Sequence, residues 1–294
     1  MGSSKDYKDL KVPVSEIRKV VEESRSKVNL FQNMEDENCM NFSSVIKEIK
    51  DEDSSYLVKI RPPVFLISGL LSNFSRIISG LKNTKILDNK RWKEREVESL
   101  KKIYPEMVAD HKPFENAVLM EKINGEPAAE VLRSDISDEE KEDIILDMAR
   151  VLRKLHDMDV FHGEPNTNNC IIGEDEKIYW IDFEVVYDED LHEKEKKAKD
   201  LEQFILSVLG SFDEEGEIGI DDREIIERIF REYGDDEIQS IVRHYHSLPL
   251  IGPYRIYQFS FNSLGRFYRA QINFMEYLGL REERELAGIF GFSS

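Results

Sequence analysis

The sequence predicts an α+β fold with two lobes, a small β-rich N-terminal lobe and a larger, mostly helical C-terminal lobe. Short runs of β-branched and aromatic residues, separated by polar turns, occupy much of the first part of the chain, whereas helical periodicity dominates the second part. Hydrophobic residues make up 40% of the 294 residues, which is enough for a sizeable core. We place the boundary in the loop near residues 121–125, so that the lobes span residues 1–121 and 122–294.

The N-terminal lobe is predicted to start with a helix that leads into an antiparallel meander. Residues 12–25 put Ile17, Val20 and Val21 on one helical face, and Ser15 is a candidate N-cap. The strands of the meander, which are separated by polar turns, are predicted at Val28–Phe31, Phe42–Ile49 and Tyr56–Ile60.

An apolar insert and a charged helix follow the meander. The insert, near residues 62–83, contains many Phe, Leu and Ile residues, and we interpret it as a core helix. A helix that contacts a partner or a membrane interface is the alternative for this insert. The charged helix is predicted from Asn89 to Lys102, before Pro105, and a short buried strand is predicted at Ala117–Met120.

Helical patterns fill most of the C-terminal lobe. Ser137 and Glu140 have the spacing of a capping box, and apolar residues follow them at helical intervals. Asn124–Pro127 is predicted as a loop, and short strands are predicted at Cys170–Ile172 and Ile178–Ile181. Apolar stripes predict further helices through Leu201–Leu209 and Ile225–Ile229.

Composition narrows the location and the partners that we expect. The formal net charge of -19 repels polyanions, so no nucleic-acid partner is expected. The two cysteines, Cys39 and Cys170, lack the spacing of a metal or redox motif. Residues 1–10 contain no apolar core of a signal peptide, and no apolar run is long enough for a transmembrane segment. These features predict a cytoplasmic protein.

The most informative residues lie in a polar loop and in the hairpin that follows it. Residues His162–Asn169 read His-Gly-Glu-Pro-Asn-Thr-Asn-Asn, and residues Ile181–Glu184 read Ile-Asp-Phe-Glu. Phosphoryl transfer to a hydroxyl needs a divalent cation on the phosphates and a carboxylate that orients the nucleophile. Mg²⁺ prefers oxygen ligands, so an Asn amide and an Asp carboxylate suit it. The hairpin is expected to bring Glu164, Asn169 and Asp182 around one point.

These motifs resemble those of the atypical branch of the protein-kinase-like superfamily, which includes RIO kinases, the KEOPS-complex kinase subunit, lipopolysaccharide kinases and aminoglycoside phosphotransferases. The resemblance implies a protein-kinase-like two-lobed fold around an ATP–Mg²⁺ site. It further implies that Asp182 is the principal Mg²⁺ ligand, that Asn169 is the second, and that Glu164 stands at the catalytic-base position. His162 is implied to brace the loop.

The resemblance extends upstream of the loop. Lys59, near the end of a predicted strand, corresponds to the family lysine that grips the α and β phosphates, and Glu96 corresponds to the helix glutamate that pairs with it. The alternatives are that Lys59 is a solvated lysine at the strand end, and that Glu94 or Glu98 is the partner.

The resemblance also implies an adenine site. Met120 is expected behind the adenine, backbone groups of Glu121 and Ile123 at its edge, and Ile171 and Ile181 as an apolar floor. Taken singly, an apolar residue at any of these positions is more often part of the core.

Asp200 corresponds to the aspartate that braces the catalytic loop of the family, and the alternative is an acid favoured by the helix macrodipole. The chain also departs from the family pattern. Glu164 stands where the family has Asp, and Glu184 stands where Asp-Phe-Gly has Gly. Residues 33–38, where a Gly-rich phosphate loop is expected, are acidic and contain no glycine.

Together, these residues predict an ATP-dependent phosphotransferase that uses Mg²⁺ and acts on a hydroxyl of an unknown protein or small-molecule substrate. A pseudokinase that binds nucleotide or serves as a scaffold is the alternative, as is a RIO-like ATPase switch.

Overall fold

The computed structural model describes residues 14–27, 45–50, 55–61, 84–86, 88–107, 109–110, 116–211, 221–246, 274 and 277–278. The strand predicted at Val28–Phe31, the acidic residues 33–38 and the insert near residues 62–83 lie outside these ranges. The chain divides into two compact units. The described residues up to Asn124, together with Asp182–Val186, belong to the first unit, and the described residues of 125–181 and from Tyr187 onward belong to the second.

The predicted helices and strands that fall within the described residues occur in the predicted order, with small shifts at their ends. Three short strands, at Thr84–Ile86, Ala109–Asp110 and Val185–Tyr187, were not predicted. The described helices are α1 (Val14–Lys27), α2 (Asn89–Ile103), α3 (Ala128–Arg133), α4 (Asp138–Asp157), α5 (Glu193–Ser211), α6 (Asp222–Tyr233) and α7 (Asp236–His246), and a 3-10 turn spans Thr167–Asn169. The described strands are β1 (Val45–Lys50), β2 (Ser55–Ile60), β3 (Thr84–Ile86), β4 (Ala109–Asp110), β5 (Ala117–Glu121), β6 (Gly125–Pro127), β7 (Cys170–Gly173), β8 (Ile178–Trp180) and β9 (Val185–Tyr187).

Two local predictions were wrong. The helix α1 begins at Val14, so Ser15 lies inside its first turn and is not its N-cap. The segment predicted as a loop at Asn124–Pro127 contains β6, because its backbone pairs with β7, which lies far away in the sequence. A non-local partner of this kind leaves no periodic signal in three residues.

An antiparallel sheet forms the centre of the first unit. In its described part the strand order is β1–β2–β5–β4. Alternate residues of β2, Val58 among them, pack with Ile17 and Val21 of α1 in one apolar cluster. Because side chains alternate between the two faces of a strand, Lys59 and the following Arg61 lie on the opposite face. Because the predicted helical face around Ile17 packs on one face of β2, the cationic side chains of Lys59 and Arg61 lie on the other face.

The second unit is mostly helical. The capping box predicted before α4 is confirmed, since the Glu140 N–H donates to Ser137 Oγ and the Glu140 carboxylate accepts the Ser137 N–H. β6, β7 and β8 form a small antiparallel sheet beside the helices. Gly125 of β6 has to be glycine, since a Cβ there would lie 2.1 Å from the Ile172 carbonyl oxygen. The predicted α+β class is thus confirmed.

None of the helices that the structure describes is both long and apolar enough to cross a membrane.

We predict that Ile17→Ala destabilises the protein, because it removes a buried side chain from the contact between α1 and the sheet. Changes of this kind lower the free energy of unfolding by about 2–5 kcal/mol. Urea unfolding measures the loss, and Arg18→Ala is the control, since Arg18 is exposed on the same helix. Equal stability of the two variants would contradict the packing of α1 on the sheet.

Candidate functional site

Lys59 lies at the centre of a buried cluster of charges in the first unit. Its Nζ is 2.6 Å from Asp182 Oδ1 and 3.5 Å from Glu96 Oε1, and its side chain is 6% exposed. The ring of Trp92 lies beside the same ammonium group, with its centre 5.7 Å from Nζ. The structure therefore contains the ion pair between Lys59 and Glu96, and Lys59 is not a solvated lysine at a strand end.

The helix α2 directs one of its glutamates into this cluster. Glu96 is 1% exposed, whereas Glu98 is exposed and Glu94 lies at an intermediate depth. Glu96 Oε2 accepts the Phe183 N–H at 2.8 Å. Glu96 thus joins the lysine to the backbone of residues 182–184, which we call the Asp-Phe-Glu segment.

Each residue of the Asp-Phe-Glu segment is held by a side chain of the first unit. The Asp182 carboxylate accepts a hydrogen bond from Lys59. The backbone of Asp182 has φ at 69°, a left-handed conformation that residues other than glycine rarely adopt. Phe183 is fully buried, and its carbonyl accepts Arg95 Nε–H at 3.1 Å. Glu184 Oε2 pairs with Arg61 Nη2 at 2.9 Å.

The carboxylates of Asp182, Glu96 and Glu184 lie in this cluster with the cations Lys59 and Arg61. Burial lowers the pKa of Lys59, but the charges of Asp182, Glu96 and Glu184 outweigh burial and hold that pKa above its ordinary value. Burial raises the pKa of Glu96 to about 7, since Lys59 opposes the effect only in part and the other two carboxylates add to it. The lysine therefore stays charged, whereas Glu96 takes up a proton as the pH falls through about 7.

The loop that carries Glu164 belongs to the second unit, and Asp200 of α5 holds its first residues. Asp200 Oδ2 accepts the His162 N–H at 2.7 Å, and Oδ1 accepts the Gly163 N–H at 2.9 Å. Gly163 has φ at 86°, so this turn requires glycine. His162 Nδ1 accepts the Glu164 N–H at 3.3 Å, and its Nε2 therefore carries the proton that it donates to the Ile181 carbonyl at 2.9 Å.

Asp200 is the centre of a buried polar network. It accepts the Tyr187 hydroxyl at 2.7 Å and contacts His156 Nε2 at 3.0 Å, while His156 Nδ1 contacts the Tyr233 hydroxyl at 2.7 Å. Burial raises the pKa of Asp200, but its interactions with His156, His162 and Tyr187 outweigh burial and hold that pKa below its ordinary value. Asp200 lies beyond the first turn of α5, so these bonds and not the helix macrodipole stabilise its charge.

Asn169 ends the 3-10 turn and is tied to Glu164. Its Nδ2 donates to the Glu164 carbonyl at 3.0 Å, and Asn166 Oδ1 caps the turn by accepting the Asn169 N–H at 3.0 Å. The backbone of the loop therefore fixes the spacing between the two predicted site residues.

Hydroxyl groups of α5 hold the other end of the loop. The Thr167 N–H donates to Ser207 Oγ at 2.8 Å, and Thr167 Oγ1 lies 2.6 Å from Ser211 Oγ. With Asp200 at the start of the loop and these serines near its end, one helix positions the whole segment.

The residues predicted for adenine lie in both units. Met120 is buried in β5, Glu121 ends that strand, and Ile123 is half-buried in the loop that follows. Ile171 is half-buried in β7, and Ile181 is half-buried directly after β8. Their role in adenine binding stays a prediction.

Sequence reasoning missed several partners of the site residues, among them Arg61, Arg95 and Ser207. The sequence did contain a signal for Arg61. Arg61 follows Lys59 by two positions, and Glu184 follows the predicted Mg²⁺ ligand Asp182 by the same interval, which indicates a second contact beside the first. The contacts of Arg95 and Ser207 depend on how α2 and α5 pack, and local sequence carries no comparable signal for them.

We predict that Glu96→Gln changes the pH dependence of stability. The pKa of Glu96 is about 7 in the folded protein against an ordinary value of 4.5, so between these values the folded state binds more protons than the unfolded chain. The contribution of Glu96 to the free energy of unfolding is then complete at the acidic end of this window and is lost as the pH rises through 7. Urea unfolding should show that the difference between wild type and variant falls over this range.

Glu98→Gln is the control for this experiment, because it makes the same change at an exposed position of the same helix. A wild-type advantage that grows with pH would mean that the pKa of Glu96 is lowered and not raised.

Residues 76–217 match the family model of the RIO domain, and no curated protein matches the chain at a significant level. The matched region contains Glu96, Glu164, Asn169 and Asp182, whose contacts are described above. RIO domains are kinase-like, in agreement with the α+β fold and with the motifs of the loop and hairpin. Residues 76–217 are therefore similar to the RIO domain, in agreement with the resemblance of the loop and hairpin motifs to the atypical branch of the protein-kinase-like superfamily.

Proposed function

We propose that this chain is an ATP-dependent phosphotransferase that transfers the γ-phosphoryl group to a hydroxyl of a protein or small molecule. The observation that carries the proposal is the buried cluster in which Lys59 lies between Asp182 and Glu96. The RIO-domain match supports an activity of kinase or ATPase type. In this proposal the N-lobe spans residues 1–121 and the C-lobe residues 122–294, and these bounds differ from those of the compact units, since Asp182–Val186 belong to the first unit.

Lys59 is proposed to bind the α and β phosphates, with Glu96 as the residue that orients it. A phosphate-binding lysine has to stay charged and has to hold one position. The carboxylates around Lys59 keep its pKa high, and the two ion pairs restrict its ammonium group. We assign the adenine-binding role to Met120, Glu121, Ile123, Ile171 and Ile181.

The donor groups of Asp182 and Asn169 fit Mg²⁺, which prefers carboxylate and amide oxygens. The Asp182 side chain is 19% exposed, and Asn169 uses the donor side of its amide in the bond to Glu164. Among the described residues, no group of three or more His, Cys, Asp or Glu side chains could hold a metal ion alone. In this proposal Asp182 and Asn169 would hold the cation together with the nucleotide phosphates, and the cation would supply positive charge for the transfer.

Glu164 is proposed to accept the proton of the acceptor hydroxyl. As this oxygen bonds to the γ-phosphorus, the bond from that phosphorus to the β–γ bridging oxygen breaks and ADP leaves. The base has to be aimed correctly, and the structure fixes the Glu164 backbone on both sides. Its N–H donates to His162, and its carbonyl accepts Asn169 Nδ2 and the Asn166 N–H.

A pseudokinase or a RIO-like ATPase switch is the second candidate. Two features of the sequence favour it, namely the glutamate at position 164 and the acidic residues 33–38, which contain no glycine. Thermal unfolding with ATP, with and without Mg²⁺, separates the candidates when it is combined with assays of ATP hydrolysis and phosphotransfer. Stabilisation without turnover indicates a pseudokinase, and hydrolysis without transfer indicates the switch.

We predict that Asp182→Asn abolishes the part of the ATP-induced rise in Tm that requires Mg²⁺, because the charge that holds the cation is lost. A ligand at about one hundred times its Kd stabilises the folded state by about 2.7 kcal/mol, which a thermal shift detects. Each variant is compared with itself in the presence and absence of Mg²⁺, so that the lost bond to Lys59 does not disturb the comparison. Asp175→Asn, in an exposed turn, is the control, and a full Mg²⁺-dependent shift in Asp182→Asn would show that the cation binds elsewhere.

We predict that Glu164→Gln and Glu164→Asp both slow phosphotransfer. The first change removes the base, and the second moves its carboxylate back by roughly 1.5 Å, where misplacement near 1 Å can reduce the rate about a hundredfold. The buried Pro165 and the bonds to the Glu164 carbonyl prevent the loop from following the shorter side chain. Single-turnover rates at equal folded fraction measure the effect, with Glu126→Gln, an exposed change on β6, as the control. An unchanged rate in Glu164→Gln would remove this residue from the mechanism.

A further inference from the structure

We infer that Arg61 and Glu184 are a positioning pair whose buried ion pair holds Asp182 in its left-handed backbone conformation. The effect on Mg²⁺ binding that follows from this inference rests on the proposed function, whereas the effect on the backbone does not.

The Arg61–Glu184 contact repeats the Lys59–Asp182 contact, with each partner two residues further along the chain. Arg61 Nη2 lies 2.9 Å from Glu184 Oε2, and the two side chains are 0% and 10% exposed. The contacts Lys59–Asp182 and Arg61–Glu184 each join residues 123 positions apart. Because side chains two positions apart point to the same face of an extended chain, β2 and the residue after it present two cations side by side. The Asp-Phe-Glu segment presents its two carboxylates to them in the same order.

Arg61 is itself fixed, so it can serve as an anchor. Its guanidinium carbon lies 4.3 Å from the centre of the Trp92 ring, a distance that allows a cation–π contact. Its N–H donates to the Asn116 carbonyl at 3.0 Å, and its own carbonyl accepts Asn116 Nδ2 at 2.9 Å. A buried charge that has lost its carboxylate is strongly unfavourable, so the pair resists opening.

The left-handed conformation of Asp182 needs such an anchor. A residue other than glycine keeps a positive φ only where the surrounding structure holds it. Lys59 is less suited to this task, because in the proposed function its ammonium group also has to bind the α and β phosphates. The Arg61–Glu184 contact involves no residue that we assign to nucleotide or cation, so it can hold the segment throughout. A glycine in place of Glu184, as in the family pattern, could not form this pair.

Hydrogen exchange of the Phe183 amide tests the inference in the protein without nucleotide, because that amide donates to Glu96 and reports opening of the segment. We expect Glu184→Gln and Arg61→Met to speed this exchange roughly tenfold or more, since each breaks a hydrogen bond between charged groups. The control is Val58→Ala, which removes packing on the opposite face of β2. The Thr167 amide of the second unit should exchange alike in all these variants once global stability is matched.

The double variant Arg61→Met/Glu184→Met keeps the experiment decisive where a single variant does not fold, because it leaves no buried charge of the pair unmatched. If the pair positions Asp182, the double variant exchanges Phe183 rapidly although its global stability is retained. Phe183 exchange equal to that of Val58→Ala in the folded variants overturns the inference.

A second measurement separates this inference from the proposed function. The measurement is the Mg²⁺ concentration that gives half of the rise in Tm at saturating ATP. We expect this concentration to increase about tenfold in the double variant, because its Asp-Phe-Glu segment is then mostly open and no longer places Asp182 for the cation. If the wild type shows no Mg²⁺-dependent rise, the proposed function fails and the exchange experiment alone decides the positioning role. If the wild type shows the rise and exchange is unaffected, the function stands and the positioning role is wrong.

Discussion

Two buried cations on one face of β2 are the constraint on which the first unit depends. An ammonium and a guanidinium group removed from water require carboxylates close by, since an uncompensated buried charge is far more unfavourable than a lost apolar contact. Lys59 forms ion pairs with Asp182 and Glu96, and Arg61 forms an ion pair with Glu184. Neutralisation of these buried charges and apolar packing therefore together set the positions of α2 and of the Asp-Phe-Glu segment.

In the second unit, one buried carboxylate and two hydroxyl groups of a single helix hold the loop that carries Glu164. Asp200, Ser207 and Ser211 lie seven and four residues apart on α5, a spacing that puts them on one face of the helix. That face satisfies the backbone and hydroxyl groups of the loop at both of its ends, through Gly163 and Thr167 among others. Buried hydrogen bonds are strong in a medium of low polarity, so a loop held in this way is preorganised. Preorganisation is what a correctly aimed base requires.

The departures from the family pattern have different structural consequences. Glu184, which stands in the place of a glycine, takes part in a buried ion pair and is integrated into the charge cluster. Glu164 places a carboxylate at the position that we propose for the base, on a backbone that its neighbours hold. We therefore favour a site adapted to glutamates over a site that has lost its function.

The sequence by itself determined the order of the predicted elements that the structure describes, the capping box of α4 and the spacing of Glu164, Asn169 and Asp182, because these depend on residues close together in the chain. It also predicted the pairing of Lys59 with Glu96, but left Glu94 and Glu98 as alternative partners. The tertiary structure decided among the glutamates of α2, showed that Gly125–Pro127 is a strand, and brought Arg61 to Glu184. Those outcomes depend on partners 37 to 123 positions away, whose approach is set by burial and charge neutralisation in the folded chain and leaves no local periodicity.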